Sequence, residues 1–428
     1  MFKNLSLVLA CLLVFSVAPV MAQETTTSTS IDYCKGNFNY DKDVDGTDAS
    51  LFKSDFGRSG LIDPCPPDGP SPVPRTGSRI SMYEMDDGDL QHGLPSPNPR
   101  FTNHGNGTVT DNLTGLMWTR DAFACGGARD WTGAMDCVAS YNTMNFGGYS
   151  DWVLPNLKEL LSLVDYGRLN PALPSGHPFT NVQTYRYWSS TSSMDDYPGS
   201  AWFVGMSSGW IGYPSKTEQY CVWPVRAARA EAPEPTTTIT TTSPTTTTSV
   251  LSYPAPVAKT GRSSSLTTGD DGDLERGVEW PNPRFTNNAD GTVTDNLTGL
   301  IWLKNAACFG VRNWFSALDD CAWLSDPYCG LSDGSSSGDW RLPNLFELES
   351  LRSMQYYNPA LSNAAGTGHW SEGDAFTNVQ SNNYWSSTTT PGSTYINLYA
   401  WAVDLTNGST TSFISSTYNY VWPVRGGQ

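Results

Sequence analysis

From Arg100 to Trp118 the chain spells a segment that it spells again, almost residue for residue, from Arg284 to Trp302. The correspondence continues in the same order: Asp151–Leu157 with Asp339–Leu345, Phe179–Gln183 with Phe376–Gln380, Tyr187–Thr191 with Tyr384–Thr388, and Val222–Arg226 with Val421–Arg425. Two copies of so long a unit are a domain duplication, since a solenoid needs several short repeats to close a continuous core. Whatever fold the chain adopts is built twice from one plan. The two copies span residues 75–229 and 257–428, joined by a Thr/Pro-rich segment at 230–256. A segment of that composition buries little apolar area. Extended backbone of this kind would hold the copies on the order of 50 Å apart, as beads on a string.

Inside each copy, Asn106-Gly107 and Asp290-Gly291 are hairpin signals, because a tight two-residue turn wants positive φ at both central positions. A helix follows, capped by Asp130 or Asn313, with Trp131, Ala134, Cys137 (or Val138) and Tyr141 on one face. A second helix starts after Leu154-Pro155, where a missing N–H is cheapest, and buries Leu157, Leu160, Leu161 and Val164. From Tyr187 onward aromatics alternate with small polar residues, which predicts a final antiparallel sheet ending in Val222-Trp223-Pro224-Val225.

The ordered motifs, from Asp290-Gly291-Thr292-Val293-Thr294-Asp295 through Asp339-Trp340-Arg341-Leu342-Pro343-Asn344, Tyr384-Trp385-Ser386-Ser387-Thr388 and Val421-Trp422-Pro423-Val424-Arg425, resemble one family. It is the C-terminal domain of the Legionella collagen-like adhesin. The resemblance covers both copies and implies an α+β, C-type-lectin-like fold: two helices beside a small antiparallel sheet with irregular loops. It also implies adhesion or glycan binding at a bacterial surface, with assembly into a homo-oligomer. The chain departs from the namesake in having no collagen-like stalk, and copy one has Val153 where the motif carries Arg.

Ahead of the copies, Lys3, the apolar run Leu5–Val17 and Val20-Met21-Ala22 read as a secretory signal over residues 1–22. A lipid anchor at Cys11 is the alternative to cleavage after Ala22. Residues 23–31 are a linker, 32–66 a small module, and 67–74 a Pro-rich linker. In the module, Asn37, Asn39, Asp41, Asp43, Asp45 and Asp48 have the spacing of an EF-hand calcium loop, and the loop resembles that of a dockerin. Lys42 stands where such loops carry Gly. Calcium is the expected structural cofactor.

The eight cysteines after Cys11 read as disulfides of an exported protein, since they form neither Cys-x-x-Cys pairs nor Cys/His clusters. Cys34 brackets the small module with Cys65, Cys125 pairs with Cys137, and Cys308 with Cys321. Cys221 and Cys329 have no counterpart in the other copy and bridge the copies, pair between chains or stay free.

The formal charge of −17 argues against nucleic acid, anionic lipid and sulfated polysaccharide as general electrostatic partners. Four histidines, none in triad or metal spacing, give no support to catalysis, so the chain is not expected to be an enzyme. Asp86-Asp87-Gly88-Asp89 and Asp270-Asp271-Gly272-Asp273 read as solvated turns ahead of cation sites. Trp188, Trp202, Trp385 and Trp401 recur at matched positions and read as core; Trp210 has no partner and is the candidate ligand contact. Arg100, Arg226, Arg284 and Arg425 are expected to pair with acids inside each copy. The function expected is extracellular binding of glycan or matrix, with a structural spacer as the alternative and an enzyme as a distant third.

Overall fold

The structure, a computed structural model, describes residues 69–193, 198–227 and 253–426. The signal at 1–22, the linker at 23–31, the calcium loop Asn37–Asp48, Cys34, Cys65 and most of the Thr/Pro segment lie outside the described residues.

Repeat 1 runs α1 (Asp87–Leu90), β1 (Phe101–Asn103), β2 (Thr108–Asp111), β3 (Leu116–Thr119), α2 (Trp131–Thr143), α3 (Leu157–Leu161), β4 (Arg186–Ser192), β5 (Ala201–Gly205), β6 (Trp210–Gly212) and β7 (Val225–Ala227). Repeat 2 runs α4 (Asp271–Leu274), β8 (Phe285–Asn287), β9 (Thr292–Asp295), β10 (Ile301–Leu303), β11 (Val311–Arg312), α5 (Trp314–Trp323), α6 (Leu345–Ser350), β12 (Asn383–Thr389), β13 (Tyr399–Asp404), β14 (Ser409–Ile414), β15 (Asn419–Tyr420) and β16 (Val424–Arg425).

The lectin-like expectation of two helices beside one sheet is corrected here. The described residues are mostly β: four small antiparallel sheets arranged as four blades, two from each repeat, with few helices. The sheets are β1-β2-β3-β7 and β4-β5-β6 in repeat 1, and β8-β9-β10-β16 and β11-β15-β12-β13-β14 in repeat 2. The second helix is only one turn long in repeat 1, because the Asn156–Glu159 capping box starts it and nothing beyond Leu161 extends it. The last strand also goes elsewhere than expected: Val225 pairs with Trp118, so β7 closes the first sheet and leaves the second. Trp223 thereby meets Trp118 edge to face at 5.6 Å, and Trp422 meets Trp302 at the same 5.6 Å. The hairpin turn differs as well. Positive φ falls on Gly105 and Gly107, while the Asn106 side chain accepts from the Thr108 N–H at 3.1 Å, an Asx turn in a longer loop.

The repeats are not separate beads. One buried apolar cluster runs through both, from Val109, Trp118 and Leu160 to Trp302, Leu348 and Trp422. Each Asp-Asp-Gly-Asp segment sits against the other repeat. Asp87 accepts from its own neighbour Thr76 at 2.5 Å and from Thr388 of repeat 2 at 2.8 Å. Asp271 accepts from Thr260 at 2.6 Å and from Thr191 of repeat 1 at 2.7 Å. Asn344 Nδ2 donates to His92 O, and Asn156 Nδ2 donates to Arg276 O. These segments are therefore not solvated turns: Asp86 and Asp270 cap their helices, and Asp87 and Asp271 are buried latches. Gly88 and Gly272 fit because a β-carbon there would lie 2.2 Å from Ile80 O or Ser264 O. Burial pushes both latch carboxyls up, to about 7, against the pull of their threonine hydroxyls.

Cys125 is bonded to Cys137. The expected Cys308–Cys321 bond is replaced by Cys308–Cys329. The reason lies in helix register. Aligning Trp131 with Trp314 puts Cys321 at the place of Val138, whereas Cys137 answers Asp320. One residue is about 100° of helix, so Cys321 points into the core with Trp314 and Ala317, while Asp320 faces Arg312 at 2.6 Å. Cys221 is a free buried thiol that burial pushes up to about 12, and Cys321 is raised in the same way.

Candidate functional site

Trp188, Trp202, Trp385 and Trp401 are all buried. Arg100 and Arg284 pair with Asp111 and Asp295, both buried, and Arg425 with buried Asp333. Arg226 reaches Asp151, which is half-exposed. Trp210 is different: it stands 37 % exposed at the edge of the β4-β5-β6 sheet.

The register of that sheet explains what gathers around it. Arg186 of β4 lies opposite Gly205 of β5, and Gly205 lies opposite Trp210 of β6. Strand residues in one row project to the same face. Gly205 carries no side chain, so Arg186 and Trp210 reach toward each other across it, and the guanidinium carbon sits 5.2 Å from the Trp210 ring centre. Phe203, two residues before Gly205 and on the same face, lies edge-on to Trp210 at 4.8 Å. Tyr185 and Tyr220 complete the surround, at 5.8 Å and 5.4 Å from the guanidinium, with Phe203 at 5.2 Å.

Four aromatic faces thus hold one guanidinium by cation–π attraction. The Tyr220 hydroxyl accepts from Arg186 Nη1 at 3.0 Å. Burial raises the Tyr220 phenol above its usual value, and Arg186 pulls it back. Tyr185 is 49 % exposed, so the platform has an open side made of Tyr185, Trp210 and the half-buried Arg186. Among the described residues no carboxylate lies within ion-pair distance of Arg186, in a chain with 42 acidic residues.

Sequence reading picked Trp210 alone. Tyr185, Arg186, Phe203 and Tyr220 were missed because they are scattered over 36 positions and only strand pairing brings them together. A usable signal was present in the repeat itself: in register with repeat 2, the same places hold Asn382, Asn383, Ala402 and Asn419, and Trp210 falls on Ser409.

A second concavity lies on the seam between repeats, lined by Pro72, Val73, Leu161, Pro256, Val257 and Phe346. Its free volume of about 100 Å³ is small beside ligand pockets of several hundred. Lys158 at its wall donates to Lys259 O at 3.1 Å, and burial lowers its pKa well below the usual value. This is an apolar interface with a tied-down lysine. Among the described residues no group of three or more His, Cys, Asp or Glu could hold a metal ion. No helix among them is long and apolar enough to cross a membrane.

Comparison of sequences defines the class. The Lcl C-terminal domain matches the chain twice, over residues 107–226 and 291–425. The chain belongs to this family, as an adhesin-like protein with the domain duplicated. No curated protein matches it. The latch segments, including Asp87 and Asp271, fall outside both matched stretches, whereas the whole aromatic platform falls inside the first.

Proposed function

We propose that this chain is a non-catalytic, adhesin-like protein of the bacterial surface or exterior that binds glycan or extracellular matrix through the platform of repeat 1. The observation that carries the reading is Trp210, an exposed indole on a three-stranded sheet whose counterpart in repeat 2 carries Ser409 in its place. Flat aromatic faces suit the C–H face of a sugar ring, and a contact set on strands is positioned before the ligand arrives. In the same reading the loop Asn37–Asp48 holds a structural calcium ion.

The test is an array of glycans and matrix proteins probed with the full chain, with and without calcium. Specific hits that Trp210→Ala removes are expected. Uniform blanks would sink the reading and favour a spacer role. Chelation of calcium is expected to lower the melting temperature of the N-terminal transition while leaving the hits in place.

A further inference from the structure

Among the described residues no acid pairs with Arg186. It has five N–H donors, and among the described residues the Tyr220 hydroxyl takes one of them. A guanidinium this close to four aromatic rings is partly stripped of water, so the missing acceptor matters more than it would in open solvent. Elsewhere in the same repeat Arg100 takes Asp111 at 3.2 Å and Arg226 takes Asp151 at 2.6 Å, while Arg120 and Arg129 are tied to backbone carbonyls; Arg186 is held by rings and one phenol.

Repeat 2 serves as an internal control for a purely structural role. It forms the same three-strand pairing with Asn383, Asp404 and Ser409 in the row that holds Arg186, Gly205 and Trp210. The sheet does not need the guanidinium, the gap over Gly205 or the indole. Repeat 2 even places an acid, Asp404, where repeat 1 clears the way.

We infer that the repeat 1 platform selects an acidic sugar, with the ligand's carboxylate on Arg186 and its ring against Trp210 and Tyr185. A carboxylate is favoured over a sulfate ester because it is the more basic anion and accepts stronger charge-assisted hydrogen bonds from the guanidinium. The overall charge of −17 also repels densely charged polymers, while one carboxylate meeting one arginine escapes most of that repulsion by screening. This inference rests on the glycan-binding reading above.

The experiment titrates the full chain with three oligosaccharides of one backbone: neutral, bearing uronic acid, and bearing sulfate. The uronic form is expected to bind most tightly, and more weakly as salt is raised. Arg186→Asn, which copies repeat 2, is expected to lower uronic binding by about tenfold or more, the loss of a charge-assisted bond. Its binding of the neutral form is expected to fall far less than its binding of the uronic form, so that the preference between the two narrows, and Arg186→Lys to be intermediate, while Trp210→Ala weakens both. Unaltered near-ultraviolet dichroism of each variant separates lost binding from lost fold. Equal affinity for neutral and uronic forms, or tighter binding of the sulfated form, would overturn the acid selectivity and leave glycan binding standing. Failure of all three sugars, with blanks on the array, would bring down both.

Discussion

Repeat 1 and repeat 2 share their hairpins, their tryptophan pairs and their capping boxes, yet they differ in how the buried glutamate of each capping box finds its cation. Glu159 and Glu347 are the equivalent third residues of equivalent one-turn helices, and both are buried. Glu347 is held from within its own repeat by both Nη atoms of Arg341, each at 2.6 Å. In repeat 1 the place of Arg341 is taken by Val153, and Glu159 is held instead by Arg276, which arrives from the other repeat at 3.0 Å. One copy is electrically self-sufficient, and the other borrows its cation. Duplication kept the apolar plan and the Arg100–Asp111 pair, repeated as Arg284–Asp295, but let this one ion pair drift, because a buried carboxylate needs a cation but not a cation from any one strand.

The largest expected effect breaks this comparison directly. Arg341→Ala leaves the buried Glu347 without a cation, with only its capping-box bond from the Asn344 N–H, and is expected to cost about 3–5 kcal/mol in denaturant unfolding. Arg276→Ala should cost less, because the Arg276 side chain keeps contact with solvent and water can reach the vacated place. Equal losses from the two variants would mean that the two carboxylates are equally isolated, and the distinction would go.

The two latches are alike where the carboxylate clamps differ, so they predict a shared pH response. Asp87 and Asp271 stay protonated in the folded chain up to about 7, while the unfolded chain releases these protons near 3.8. Folded pKa values that are raised give stability that is fully present below the unfolded pKa and lost as pH rises through the folded one. Stability should therefore fall between about pH 4 and pH 7, by on the order of 4 kcal/mol per carboxyl at most. Asp87→Asn combined with Asp271→Asn should flatten that slope and leave neutral-pH stability higher than in the parent. A slope that survives both substitutions would place the titration elsewhere.

Next in size come the cystines. Cys137→Ser and Cys329→Ser are each expected to cost about 3 kcal/mol, the repeat 2 loop being longer and its loss slightly larger. Cys321→Val should be close to neutral, because it restores the residue that repeat 1 has at Val138. Loss of a disulfide in Cys321→Val, read by thiol counting, would contradict the Cys308–Cys329 bond.

How much of this the sequence disclosed follows from the range of the forces involved. The capped starts of α2 and α5 were legible because Asp130 and Asn313 act on an N–H three residues away. The buried tryptophans were legible because they recur. The Cys308 partner was misread because Cys321 lies one position out of register with Cys137, a slip that a motif tolerates and a helix does not. The docking of the repeats was invisible, since a Thr/Pro connection says how far apart two domains can be and nothing about whether their surfaces match. For the same reason Asp87 looked like a turn residue: its partner Thr388 lies 301 positions away. At the platform, Trp210 was found as the aromatic without a twin, and its companions needed the strand register.

The smallest effect on stability carries the sharpest functional comparison. Trp210→Ser gives repeat 1 the residue that repeat 2 already has at Ser409. The ring is more than a third exposed, and its packing is confined to one face of a sheet edge, so the loss should stay near 1 kcal/mol. Nothing in the fold of repeat 2 suffers from serine there, which is why a small change is expected in thermal unfolding. If repeat 1 differs from repeat 2 because it binds, the same substitution should abolish glycan hits while the melting temperature moves by a few degrees at most. If instead Trp210 is a structural wedge that fixes Arg186 and Phe203, unfolding of repeat 1 will shift well beyond that and binding, where any exists, will persist on the variants that still fold. The two outcomes separate a ligand platform from an idiosyncratic piece of packing, because only one of them leaves the protein intact and its function gone.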